Sequence, residues 1–302
     1  MQRSASIKRL FKSLAFTCID MGRTKLTIIG IAAVLAACAP AAPKKSLYER
    51  MGGIHKLAAA IDMCVDMEAK DPMLLKNERF KMATAVGKPY MKFAITNTLA
   101  AGTGGPQKCI YNVAPFAKWI GLTKAQSDHA WTLRKMAFNK AGISNADFME
   151  MKSWYIKSES MVKPMAPTKE TFKDASSLYA RLGGIMAITA VSDDFVNRIP
   201  TGKAIMMNKR TVKAVKSGRF TDAGLKYLLS ELIASASGGP FKYSGRSMKQ
   251  SHKDLMISEK EWEEAGVMFK TTLDKFKVGE QEQKELFAAI AATHGDIVTK
   301  KH

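Results

Sequence analysis

Histidine is scarce in this chain, five residues in 302, and cysteine is scarcer still: Cys18, Cys38, Cys64 and Cys109. No two cysteines form a CxxC pair, which argues against zinc-ribbon and iron–sulfur chemistry. Cys64 and Cys109 read as two isolated buried thiols, with a disulfide between them as the alternative in an exported chain. Acidic residues are outnumbered, 27 against 47 Lys and Arg, for a net charge of +20. Residues 1–37 hold six of the basic residues and one of the acidic, so the rest keeps 41 against 26, or +15. A basic surface attracts nucleic acid, anionic lipid or polyanionic wall polymers. The lysines are scattered, without the aromatic-interleaved stripe that nucleic-acid binding uses, so no nucleic-acid partner is expected. Runs of alternating β-branched residues between turn signals are missing too, which leaves an all-α class. No flavin or nucleotide motif is visible. Hydrophobic residues make up 46%, enough for packed cores, and the length suits about two domains.

Long apolar runs are equally few. The stretch MGRTKLTIIGIAAVLAACAP begins at Met21, with Arg23 and Lys25 ahead of a twelve-residue run from Leu26 to Ala37. That run is short for a bilayer span and has the flanks of a signal peptide. Its end, LAAC at Leu35–Cys38, resembles a bacterial lipobox. The resemblance implies cleavage before Cys38 and acylation of its thiol, a firm anchor because several chains are joined to one residue. Residues 1–37 are thus expected as an N-terminal extension and lipoprotein signal peptide. Residues 38–45, with APAAPKK, read as a tether. Ala39 after the cysteine suggests the outer membrane, with the protein facing the periplasm of a bacterial envelope. An uncleaved anchor helix is the alternative, and residues 1–20 fit neither pattern; Met1 and Met21 both remain as starts.

The chain repeats itself. SLYERMGGI at 46–54 returns as SLYARLGGI at 177–185, and GGPQK at 104–108 as GGPFK at 238–242, an offset of 131 to 134. A period this long means a duplicated domain rather than a solenoid. The expected division is 46–160, a linker rich in Pro, Ser, Thr and charge at 161–176, and 177–302. In the second copy Ile185, Ile188, Val191, Phe195 and Ile199 recur at helical spacing until Pro200. Leu225, Leu228, Leu229, Leu232 and Ile233 form a second stripe, ended by the glycines of GGP. Trp262 to Phe276 forms a third, and Leu286, Ile290, His294 and Ile297 a fourth.

Between the second and third stripes, GRSMKQSHKDLMIS at 245–258 places Met248, His252 and Leu255 on one face of a short helix. Alone, such a histidine is more often a satisfied core residue than a ligand. The ordered set LYARLGGI, DDF at 193–195, a leucine-rich helix, GGPFKYSGRSMKQSH and a Trp-bearing helix resembles a group I truncated haemoglobin over about 177–298. The resemblance implies a two-over-two helical sandwich in each copy, one haem b per chain in the C-terminal copy, and His252 as the proximal iron ligand. It implies haem contacts from Phe195, Leu232, Met248 and Leu255, with Lys226 and Arg246 as candidate propionate partners. The gas-facing positions are Val196, Leu225 and Leu229. The best-known pattern has a tyrosine at the first and commonly a glutamine at the last, and both donors are replaced by hydrocarbon here. Donors to a partly charged ligand contribute about 1–3 kcal/mol, so weaker oxygen retention is expected, with little penalty for CO or NO. Tyr227 is expected at the surface or rim, Tyr243 in a structural role, and His294 as filler.

In the first copy GGPQKCIYNVAPFAKW puts Ala117 or Lys118 at the proximal position. Pro115 sits where the short proximal helix belongs, Cys64 and Val65 replace the distal pair, and His55 and His129 fall outside the expected pocket. This copy is expected to be globin-like without haem. The leading expectation is a lipid-anchored haemoprotein that binds O2, NO or CO, served by an unknown reductase. Enzymatic NO dioxygenation or peroxidation is less favoured, since no polar distal residue supports it. The alternatives are a haem-independent envelope interaction module and an NO- or redox-linked haemoprotein.

Overall fold

The computed structural model describes residues 44–110, 112–166 and 170–299. The signal segment, Cys38 and most of the tether lie outside them, as do Pro167–Lys169 of the linker. Among the described residues there are helices and no strand, only a single parallel bridge between Ile257 and Val298. The all-α class is correct.

The first half runs α1 (Leu47–Arg50), α2 (Gly53–Glu68), α3 (Glu78–Val86), α4 (Lys88–Gly102), α5 (Ala114–Ile120), α6 (Lys124–Lys140) and α7 (Asn145–Ser160). The second runs α8 (Leu178–Arg181), α9 (Gly184–Arg198), α10 (Lys203–Met207), α11 (Lys209–Lys216), α12 (Asp222–Ala236), α13 (Met248–His252), α14 (Glu259–Lys275), α15 (Glu280–Ala291) and α16 (His294–Ile297). Pro200 ends α9 in a 3-10 turn at Ile199–Thr201. The fourth stripe does not make one helix: the chain breaks after Ala291, and His294 opens α16.

Local chemistry recurs at the repeat offset. Ser46 and Ser177 cap α1 and α8 by accepting from Glu49 and Ala180 N–H. The next turn needs left-handed backbone twice in succession, and Gly52 and Gly53 (φ 90° and 70°) match Gly183 and Gly184 (86° and 72°); any side chain there is strained. Tyr48 N–H donates to Thr103 O at 2.9 Å, and Tyr179 N–H to Ser237 O at 2.8 Å. Arg50 grips Asp147 and Glu150 on α7; Arg181 grips Glu282 and Glu285 on α15. The Lys92 ammonium lies 2.7 Å from Asp62, and that of Lys226 lies 2.8 Å from Asp193.

Within the first half α2 packs on α4 and α6; within the second α9 packs on α12 and α14. The halves then meet crosswise, α2 on α12 and α4 on α9. Phe93 stacks on Tyr227 in this seam, with ring centroids 4.8 Å apart, and Ala58 and Phe93 belong to the same core as Ile185, Ile188 and Phe269. The described residues from Lys45 onward accordingly form one compact unit. A cavity of about 30 Å³ at the seam is walled by equivalent residues, among them Asp62 with Asp193, Lys92 with Lys226 and Thr96 with Ser230.

Tyr227 is therefore buried, 3% exposed, and not a rim residue. Its helix has a second covered face, because the other half of the chain lies against it. Pro115 does not remove the short helix either; it sits in the first turn of α5, where no intrahelical N–H bond is lost. Cys64 and Cys109 are not joined in a disulfide, and Cys109 is exposed rather than buried. No helix among the described residues is long and apolar enough to cross a membrane.

Candidate functional site

The segment around His252 is held from both sides. Upstream, the Tyr243 hydroxyl donates to Arg246 O at 3.1 Å, which closes the YSGR turn and gives Tyr243 the structural role expected of it. Ser247 then caps α13 by accepting from Gln250 N–H. Downstream, Leu255 N–H bonds His252 O. Asn208 donates to Leu255 O at 2.9 Å and to Glu261 on α14 at 2.6 Å. Asn208 and Glu261 had no signal in the sequence beyond their capping positions, yet they fix the level at which α13 leaves off.

His252 closes α13 with its Nδ1 2.8 Å from the Met248 carbonyl oxygen. A carbonyl only accepts, so Nδ1 carries the proton and Nε2 keeps the lone pair. Burial pushes the imidazole pKa below its ordinary value, with the Met248 bond opposing it. The ring is thus neutral at pH 7 and locked in one tautomer, the form in which imidazole ligates a metal. Leu255 is buried beside it and Met248 half-buried.

Val196 is buried near the end of α9. Phe195 packs edge-on to Phe269, with centroids 5.2 Å apart, and joins Leu229 against the C-terminal core. Leu225 and Leu232 are half-buried on α12. None of these side chains can donate a hydrogen bond. The helix α13 packs on α16 instead of entering that core. His294 is a partner rather than filler: its Nε2 lies 3.0 Å from Glu259, and Trp262 meets its ring edge-on.

The two candidate propionate partners differ. The Lys226 ammonium is matched to Asp193, because α12 turns that side toward the seam. Arg246 is exposed. A cavity of about 320 Å³ also lies on the seam, lined by Gly87, Pro89, Tyr90, Gly183, Met186 and Ala190. It contains none of the expected haem residues.

Residues 177–299 match the sequence model of the Bacterial-like globin family. The C-terminal part is a truncated globin domain. Two curated relatives agree at low identity. Group 1 truncated hemoglobin LI410 of Chlamydomonas moewusii is 28% identical over 138 residues, covering 44% of this chain and 72% of the relative. Group 1 truncated hemoglobin GlbN of Mycolicibacterium paratuberculosis is 27% identical over 129 residues, covering 42% and 87%. Haem-based gas binding is the general chemistry of truncated globins, and the globin domain's donor set fits it. It offers a neutral, tautomer-fixed imidazole at His252, hydrocarbon at Val196, Leu225 and Leu229, and the exposed Arg246 guanidinium.

The first half aligns with the globin domain at offsets of 131, 134 and 135. Its α5 corresponds to α13 at 134, which places Lys118 rather than Ala117 at the position of His252. The Lys118 ammonium donates to Val162 O at 2.9 Å. Phe116 and Trp119 stand where the globin domain has Gln250 and Lys253, stack at 5.7 Å and pack against Leu74 and Phe80. Cys64 and Val65 are buried in the first core. His55 meets Thr221 across the seam and His129 pairs with Asp71 at 2.8 Å, both apart from α5.

Proposed function

We propose that the chain is a lipid-anchored truncated globin that binds O2, NO or CO on a single haem b held by its C-terminal domain. The observation that carries this reading is the His252 Nδ1 bond to Met248 O, which fixes Nε2 as the ligating atom. When bound, the group supplies an open coordination position for a diatomic gas. Met248 and Leu255 back the proximal side, Arg246 supplies a cation for a propionate, and Val196, Leu225 and Leu229 line the gas side with hydrocarbon. With no donor on that side, binding rather than catalysis is the activity favoured, and an external reductase keeps the iron ferrous.

The first half is a haem-free copy of the same domain. Support comes from the recurring caps, ion pairs and glycine turns, and from Lys118 where the ligand would stand. Trp131 and Trp154, packed against the first core, occupy positions where the globin domain has Gly266 and Ala289. Anchoring rests on the LAAC sequence at Cys38, outside the described residues, and with it the periplasm-facing location at the outer membrane.

The test is one set of absorbance spectra of purified protein: oxidised, reduced, and reduced with CO. The expected result is a Soret band, about one haem per chain, and loss of both in His252→Ala. A colourless wild type, or an alanine variant that holds haem as tightly, overturns the reading.

A further inference from the structure

The carboxyl group of Glu231, on α12, is 1% exposed and makes no ion pair among the described residues. Everything around it donates. Ser244 gives it both its N–H at 2.6 Å and its hydroxyl at 2.5 Å. The Tyr227 hydroxyl donates to Glu231 Oε1 at 3.4 Å and itself accepts from Asn97 Nδ2 at 3.0 Å. Asn97, from α4 of the first half, is 0% exposed. The side chain of Gln107, also from the first half, donates to the Ser244 hydroxyl at 3.0 Å and to Tyr48 at 3.4 Å. Six residues from both halves thus form one largely buried network that ends on a single carboxylate.

The network has a counterpart that shows what it does. Asn97 and Glu231 are equivalent at the offset of 134. Asn97 Oδ1 accepts from Ile110 N–H at 3.4 Å, the residue equivalent to Ser244. In each half, one buried acceptor on the helix before GGP holds the backbone of the loop after it. In the second half that loop runs straight into α13, with three residues between Ser244 and the first residue of the helix, Met248. The acceptor there is a carboxylate, a stronger acceptor than an amide, and it takes two bonds from Ser244 where Asn97 takes one from Ile110.

We propose that the first half positions the proximal segment of the globin domain, through the line Asn97–Tyr227–Glu231–Ser244 that sets the start of α13 and so the aim of His252. This gives the haem-free copy a task that needs no cofactor of its own: it is a built-in partner that completes the support of its neighbour's ligand. Glu231 and Asn97 are positioning residues and touch no ligand. The inference rests on His252 being the proximal residue, but the network and its effect on α13 can be measured without haem.

The experiment is hydrogen–deuterium exchange on the full chain, wild type against Asn97→Ala and Glu231→Gln, with Lys92→Met as a seam control outside the network. Loss of one buried hydrogen bond should raise exchange of amides 244–252 about five- to tenfold. Protection in α6 and α14 should stay at the wild-type level, as should 244–252 in the Lys92 variant. In haem-loaded, reduced protein the iron–histidine stretching band should shift in the Asn97 and Glu231 variants and not in the Lys92 variant. Should either variant fail to fold, Tyr227→Phe removes the central hydroxyl alone and must give the same local change. Wild-type exchange at 244–252 in folded network variants overturns the proposal, as does an equal rise in the Lys92 control. A colourless protein with the expected exchange pattern would sink the haem reading and leave the positioning one standing.

Discussion

Phe93 and Tyr227 lie face to face across the seam, ring planes 18° apart, and they are the same position of the repeat met twice. The repeat therefore packs on itself about equivalent residues, in the way an isologous dimer does, with both partners on one chain. The interface is permanent, and its residues are free to diverge on either side: phenylalanine in one copy, tyrosine in the other.

That stack should be energetically coupled. In a double-mutant cycle of Phe93→Ala and Tyr227→Ala, read by urea unfolding, each single change should cost about 3–5 kcal/mol. The coupling should be about 0.5–1.5 kcal/mol beyond burial. Additive effects would mean the halves do not communicate through these rings.

Glu231 predicts a pH signature. Burial is the largest influence on it and raises its pKa, while the Ser244 and Tyr227 bonds lower it. The groups facing it are Tyr48, Tyr227, Tyr243 and Ser244, with no cation among them. A raised folded-state value means the folded protein holds its proton longer than the unfolded chain. The stability so gained is present below the ordinary glutamate range, about pH 4.3, and is lost as pH rises through the folded value. Wild type minus Glu231→Gln stability should therefore fall as pH rises from about 4 toward 8. Parallel unfolding curves across that range would refute it.

His252 titrates in the opposite sense. Its folded value is depressed, chiefly by burial, so the neutral ring persists below the usual histidine range near pH 6.5. On acidification, haem release followed by the Soret band should have its midpoint below about 6.5. A midpoint above that value would contradict the burial seen here.

Val196→Tyr with Leu229→Gln places two hydrogen-bond donors at the positions proposed to face the gas. Oxygen dissociation, followed by stopped flow, should slow about ten- to a hundredfold, with CO dissociation little changed because bound CO carries less charge. In the first half, Lys118→His alone should leave the haem-to-protein ratio at about one, since Phe116 and Trp119 tie α5 to Leu74 and Phe80. Pyridine haemochrome titration reads this directly.

Much of this molecule is legible as a string. The helix stripes, the stop at Pro200, the glycine turns and the repeat all follow from periodicity and backbone chemistry, which act over a few residues. The motif GGPFKYSGRSMKQSH singled out His252 before any contact was known. Tyr227, Asn97 and Glu231 were not legible in that way. A polar residue on an apolar helix looks like a surface residue until something is packed over it, and what covers α12 comes from 130 residues upstream. The same holds for Lys226, whose partner Asp193 sits on another helix of the same copy.

The amino-acid order by itself determined the all-α class, the repeated motifs and the one histidine expected to ligate, because each is written in local spacing. Only the tertiary structure decided that the halves share a seam, that Lys118 lies at the position equivalent to His252, and that a buried carboxylate joins the halves just before α13. Those depend on which faces meet, and burial alone turns an ordinary asparagine, tyrosine and glutamate into a network that must be satisfied from within.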